Sequence, residues 1–350
     1  MEATASQAHA AVRDYYGQTL QSTSDLKTTA CCSDQAVPDY HKPILSLLAD
    51  EVMSKFYGCG SPIPPALEGM TVLDLGCGTG RDAFVAAKLA GETGHVIGID
   101  MTEAQIEVAR RYEAQHAEVF GFTEPTTSFR LGVIEDLAAS GIESESVDVV
   151  ISNCVLNLSP DKEQVFAELT RALRPGGELY VSDVFCDRRL SPEIQADPVL
   201  LGECLGGALY TEDFRRMMRQ LGWADVRTVM ESPIEVTDPV LRRQLGNAQF
   251  VSRTIRAFKL PDAIEGTCED YGQVAIYRGG IEGMEHAFVL DDHHTFEAGR
   301  PMLVCGNSAA MIQETRFGRY FDVLGDRSTH FGAFDCAPAA EDKTVRSSCC

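Results

Sequence analysis

Basic residues are scarce in this chain: 30 lysines and arginines stand against 52 aspartates and glutamates, a formal net charge of −22. Such a surface repels a phosphate backbone, and no Lys/Arg block offsets it, so nucleic acid is excluded as an expected partner. An anionic membrane surface is disfavoured for the same reason. Long apolar runs are missing too, since no segment approaches ~18 consecutive apolar residues. Residues 1–11 lack the basic start and apolar stretch of a secretory signal. The reading is therefore a soluble, cytoplasmic protein, with no internal repeat and the ordinary apolar and charged content of a globular chain.

What the chain does have is cysteine, with 12 in 350 residues. In a reducing compartment these point to thiol chemistry or metal binding rather than to a disulfide framework. Strand-like and helix-like segments alternate between about residues 71 and 185. Strands are expected at Thr71–Leu75, His95–Asp100, 128–133, 147–152 and 178–185, and helices at Glu103–Phe120 and 161–173, the last stopped by Pro175-Gly176-Gly177. The expected fold class is α/β, a doubly wound, mostly parallel sheet with helices on both faces. A helix at 211–221 with Thr211 as N-cap and strands at 226–236 and 250–260 extend it. Past Pro261 the pattern turns strand-rich. This divides the chain into an arm at 1–70, a main unit at 71–260, a smaller α+β unit at 261–336 and a polar tail at 337–350.

The segment Asp74-Leu-Gly-Cys-Gly-Thr-Gly80 closes the first strand and opens a helix. Gly76, Gly78 and Gly80 let the backbone turn sharply at the C-terminal edge of a strand, where open α/β sheets bind ligands. One residue separates the last two glycines, where the dinucleotide fingerprint has two. This variant resembles the first motif of class I methyltransferases, which implies a Rossmann-like fold and S-adenosylmethionine as cofactor. Asp100 ends the next strand and can accept from both ribose hydroxyls, with Met101 following it. The same resemblance implies that Ile134 packs on adenine and that Glu135 accepts from its amino group. Asn153 is placed at the methionine end. Any one of these acids alone would be read as a strand cap.

Further stretches carry a more specific resemblance. Tyr15-Tyr16-Gly17, Tyr57-Gly58-Cys59-Gly60-Ser61-Pro62, Ile99-Asp100-Met101-Thr102, Ser152-Asn153-Cys154-Val155 and residues 202–210 together resemble arsenite S-adenosylmethionine methyltransferases. Carried over by position, the family's thiols fall on Cys31, Cys59, Cys154 and Cys204, with Cys32 beside the first. The implied substrates are arsenite and methylarsenite as thiol conjugates. Cys154 and Cys204 would hold arsenic throughout, with Cys59 as third ligand. Soft thiolates suit trivalent arsenic, whose own lone pair is the nucleophile. Methyl transfer formally oxidises arsenic, so the resemblance also implies a Cys31–Cys59 redox pair and an external reductant such as thioredoxin or glutathione.

Competing readings follow from the same residues. Separations of 28, 95 and 50 between the four thiols show none of the closely spaced pairs usual in zinc sites, so no structural metal is expected. A methyltransferase for an organic acceptor would usually need a general base near the methyl, and no histidine lies near Cys154 or Cys204 in sequence. A thiol protein that sequesters metalloid without turnover would not need the cofactor stations. Cys77, Cys186, Cys268, Cys305 and Cys336 are read as small packing residues. Asp291-Asp292-His293-His294 is read as a solvated turn. A role for Cys349 and Cys350 stays open, and a monomer is expected.

Overall fold

The computed structural model describes residues 37–55, 58 and 61–336. Its centre is a sheet of eight strands: β1 (Thr71–Leu75), β2 (His95–Asp100), β3 (Thr127–Leu131), β4 (Val147–Asn153), β5 (Leu173–Cys186), β6 (Leu209–Tyr210), β7 (Val226–Ile234) and β8 (Phe250–Phe258). They lie in the order β3-β2-β1-β4-β5-β8-β7, with β6 beside β5. Strands β1 to β5 run parallel, and β8 is antiparallel to both of its neighbours. The chain works outward from β1 to β3 and then returns to place β4 against β1. Strand order reverses there, which opens a crevice beyond the carboxyl ends of β1 and β4.

The first strand shows why this sheet is covered on both sides. Successive side chains of a strand face opposite ways. Val72 joins a core with Phe84 and Ile106, from helices α1 (Arg81–Ala90) and α2 (Glu103–Phe120). Leu73 and Leu75 join a second core with Phe166 and Phe214, from α3 (Lys162–Ala172) and α4 (Thr211–Gln220). Both faces of β1 are thus buried, which matches its near-continuous apolar sequence.

Beyond β8 come short strands β9 (Glu269–Asp270), β10 (Gln273–Tyr277), β11 (Ala287–Val289), β12 (Thr295–Glu297), β13 (Pro301–Val304), β14 (Phe321–Leu324) and β15 (Gly332–Ala333), with helix α5 (Gly306–Gln313). Three of them form a sheet ordered β13-β10-β14. Tyr277, Phe288, Phe296 and Phe317 fill a third core, which Phe258 of β8 also enters. Buried Glu178 of β5 pairs with Arg256 of β8 and with Arg316 of this region. Arg256 also donates to the carbonyl of Leu290 at 2.6 Å.

Three local readings need correction. Pro175-Gly176-Gly177 lies inside β5, which starts at Leu173, and its pairing with β4 shifts register between Val147 and Val149. The helix has already ended at Ala172, so these residues are not its stop, and an irregular ladder absorbs the glycines within the strand. Helix α4 is capped at Tyr210, without a side-chain hydrogen bond, so Thr211 is its first residue. Asp291 and His294 are buried and hydrogen-bonded to each other at 2.7 Å; only Asp292 and His293 of that turn are exposed. Among the described residues, no helix is long and apolar enough to cross a membrane.

Candidate functional site

Beyond the ends of β1 and β4 lies a cavity that opens to solvent. Its lining includes Asp74, Gly76, Gly78, Asp100, Met101, Ile134, Glu135, Asn153 and Cys154. The glycine loop shapes its floor. Gly76 and Gly78 have φ of 63° and 53°, a region costly for residues with a Cβ. A Cβ on Gly76 would fall 2.4 Å from Val155 Cγ2, whereas one on Gly78 would meet nothing within 4 Å. Gly76 therefore permits tight packing, and Gly78 keeps the cavity side of the loop open for a ligand's approach. Gly80, at φ 89°, is the N-cap of α1.

Acids dominate the polar wall. Asp74 is buried, and its Oδ2 has no hydrogen-bond partner among the described residues. Burial, reinforced by Asp82 and Asp100, pushes its carboxyl well above the usual carboxylate range. Asp100 accepts from the amides of Gly78 at 2.9 Å and Thr102 at 2.8 Å, and burial raises it too. Asp82 pairs with Arg81 at 2.9 Å and accepts from Asn153 Nδ2 at 2.9 Å. An orphaned buried acceptor among three carboxylates suits a ligand that brings positive charge and N–H donors. The sulfonium and α-ammonium groups of S-adenosylmethionine fit that requirement. Ser159 donates to Glu135 Oε1 at 2.5 Å, and Ile134 is buried beside it.

The two central thiols sit at the same edge. Cys154 follows β4, is buried and lines the cavity. Cys204 is buried after a short helix (Pro198–Gly202), and its thiol donates to the Cys154 carbonyl at 3.3 Å. Both have left-handed backbones, with φ of 57° and 61°. For residues with a Cβ that conformation costs about 1–2 kcal/mol, and such strain clusters at functional sites. Gly207 lets the Cys204 segment close onto this edge, since a Cβ there would lie 1.9 Å from the Asn157 carbonyl oxygen. Val184, Leu200 and Phe250 make the surround of both cysteines apolar.

The sequence reading assigns Cys154 to arsenic alone; in the structure it is disulfide-bonded. Cys31 and Cys59, along with Cys32, Cys349 and Cys350, lie outside the described residues. Residues that the sequence reading missed also line the cavity, notably Arg81, Asp82, Gln105 and Ser159. Arg81 and Asp82 follow the last loop glycine directly, so their position was a usable signal. Gln105 and Ser159 reach the wall only through the packing of α2 and of the turn before α3.

Cavity, glycine loop and strand order define a class I, S-adenosylmethionine-dependent methyltransferase fold. A family model described as a methyltransferase domain matches residues 66–222, and one described as the arsenite methyltransferase C-terminal domain matches residues 271–349. An arsenite methyltransferase from Aquipseudomonas alcaligenes is 53% identical over 327 residues, covering 93% of this chain and 94% of that one. The human arsenite methyltransferase is 42% identical, covering 89% of this chain and 82% of its own length. The crystal structure of an arsenic(III) S-adenosylmethionine methyltransferase from Chlamydomonas reinhardtii superposes with a TM-score of 0.83 at 50% identity. It covers 86% of this chain and 100% of that one. The chain belongs to the arsenite methyltransferase family.

Proposed function

We infer that this protein methylates thiol-bound trivalent arsenic, giving methyl- and dimethylarsenicals, and serves arsenic detoxification. The observation that carries the reading is the place of Cys154, with the Cys204 thiol against its carbonyl, in the wall of the cavity that holds the glycine loop. S-adenosylmethionine, when bound, supplies an electrophilic methyl on a cationic sulfonium. Asp100 would hold its ribose, Ile134 and Glu135 its adenine, and Asp74 and Asn153 its amino acid end. Cys154, Cys204 and Cys59 would hold arsenic with its lone pair towards that methyl, so no general base is needed. Holding the reacting atoms at roughly 3–3.5 Å is worth up to ~7–11 kcal/mol in favourable cases. The apolar wall around the thiols favours loss of positive charge during transfer.

Arsenic can enter at Cys154 only after the disulfide there is reduced, which gives an external reductant, thioredoxin or glutathione, a defined task. Cys31 and Cys59 are proposed as the pair that returns electrons to arsenic. Residues 71–260 are proposed as the cofactor unit and 261–336 as a smaller domain, in a cytoplasmic monomer. Serine variants test the division of labour. Cys154→Ser and Cys204→Ser each abolish methylation of arsenite and methylarsenite, while S-adenosylmethionine affinity is retained. Cys31→Ser and Cys59→Ser spare methylarsenite more, because that substrate already carries one carbon ligand. Equal loss in all four variants on both substrates removes this assignment.

A further inference from the structure

Three cysteines far apart in sequence meet on the C-terminal side of the molecule. The thiols of Cys268, Cys305 and Cys336 all lie within 4.8 Å of one another. Pairing of β9 with β15 brings two of them together. Asp270 faces Gly332 and Glu269 faces Ala333, and the amide of Phe334 donates to the Cys268 carbonyl at 2.8 Å. Cys305 comes from elsewhere, as the N-cap of α5, where its sulfur accepts from the Ser308 amide at 3.4 Å. Cys305 is buried, whereas Cys268 and Cys336 are partly exposed, so the trio has a floor and an opening to solvent.

We propose that Cys268, Cys305 and Cys336 form a second arsenite-binding site, which captures trivalent arsenic through three sulfurs away from the methyl donor. The donor set is uniform and soft, as this centre prefers. Among the described residues the group consists of three thiols, which completes a pyramidal three-coordinate arsenic; structural zinc asks for four ligands. The balance is simple. As(OH)3 and three Cys–SH give As(S–Cys)3 and three waters, each thiol proton leaving with a hydroxide and no electrons transferred.

Local charge favours the same ion. Arg227 of β7 donates to Cys305 Sγ at 3.9 Å and is itself held by Asp225 at 2.6 Å and Asp291 at 2.8 Å. Two carboxylates already outweigh that guanidinium. A neutral arsenic tris-thiolate adds no charge, whereas zinc with three thiolates would add another negative one. The Cys305 thiol is drawn below its ordinary value, first by the Cys268 thiol donating to it, then by Ser308 and Arg227 against the upward push of burial.

The site is separate from the methyl-transfer edge. Arg227 lies three strands across from β4, about 14 Å at ~4.8 Å per strand. Neither Cys154 nor Cys204 belongs to the trio. The inference rests on the arsenic reading only for the identity of the ion.

The full-length reduced protein, loaded with sodium arsenite, desalted and measured by native mass spectrometry, tests this. Cys268→Ser/Cys336→Ser should bind one arsenic fewer per chain than the parent, with its initial methylation rate unchanged within about twofold. Cys305→Ser should lose the same single arsenic, and thermal melts identify any variant that has lost its fold. X-ray absorption on Cys154→Ser/Cys204→Ser should still show arsenic bound by three sulfurs. Unchanged stoichiometry in the double variant overturns the proposal. So does zinc that co-purifies one per chain, resists arsenite and disappears in that variant. Absence of methylation with the stoichiometry difference intact would instead count against the proposed function alone.

Discussion

At the scale of single residues, this molecule spends conformational strain where its chemistry is placed. Cys154 and Cys204 are two of the four described non-glycine residues with positive φ. Their types were legible in sequence because each stands in a distinctive local stretch. Their backbone strain was not, since nothing in a residue's identity reports a left-handed φ outside glycine and asparagine. Asp100 was equally legible, as an acid closing a strand. What sequence could not show is that it also pins the loop through the Gly78 amide. Asp100→Ala should weaken S-adenosylmethionine binding roughly 30-fold, the loss of about 2 kcal/mol from a charged hydrogen bond, with arsenite affinity unaltered. Calorimetry that finds the same cofactor affinity in the variant contradicts the ribose assignment.

At the scale of elements, alternation and periodicity mark β1, β2 and α2 to the residue, because these are long or near-continuous apolar patterns. They fail at Pro175-Gly176-Gly177, where pairing partners outvote local turn chemistry. The short helical segments before β1 depend on two buried histidines. His116 Nε2 accepts from the Ala49 amide at 3.1 Å, and His41 Nδ1 contacts Ser61 Oγ at 3.2 Å. Burial holds both down to about 4, with Arg81 adding to the effect at His41. In the unfolded chain a histidine takes its proton near 6.5. Between those values the unfolded form binds more protons, so this stabilisation is full above ~6.5 and is lost as pH falls towards 4. Hydrogen exchange at residues 42–53 should therefore speed up between pH 7 and pH 5, after correction for intrinsic rates, more than in the histidine-free α3. Equal change in both segments would refute this account of the histidines.

At the scale of the whole molecule, the central sheet and the C-terminal strands are joined through charge as well as apolar packing. Glu178 is fully buried between Arg256 and Arg316. Removing the shared carboxylate strands two buried guanidiniums, typically at about 3–5 kcal/mol. Glu178→Gln should lower the melting transition accordingly, and adding Arg316→Met should recover part of the loss. A melting shift worth less than ~1 kcal/mol in the single variant would show that this ion cluster joins nothing. Sequence gave no hint of it, because Glu178, Arg256 and Arg316 come together only through tertiary pairing. The same holds for Cys268, Cys305 and Cys336: each reads as a lone packing residue until β9 meets β15. The fold class was legible because it rests on successive local patterns, whereas clusters assembled from distant segments were not.

The central claim is that the cavity and its thiols methylate trivalent arsenic. Purified protein incubated with arsenite, S-adenosylmethionine and a thiol reductant, followed by chromatographic speciation of the arsenic, tests it most directly. The account predicts methyl- and then dimethylarsenic, with one S-adenosylhomocysteine released per methyl transferred. Folded protein that binds S-adenosylmethionine yet yields no methylated arsenic would contradict it.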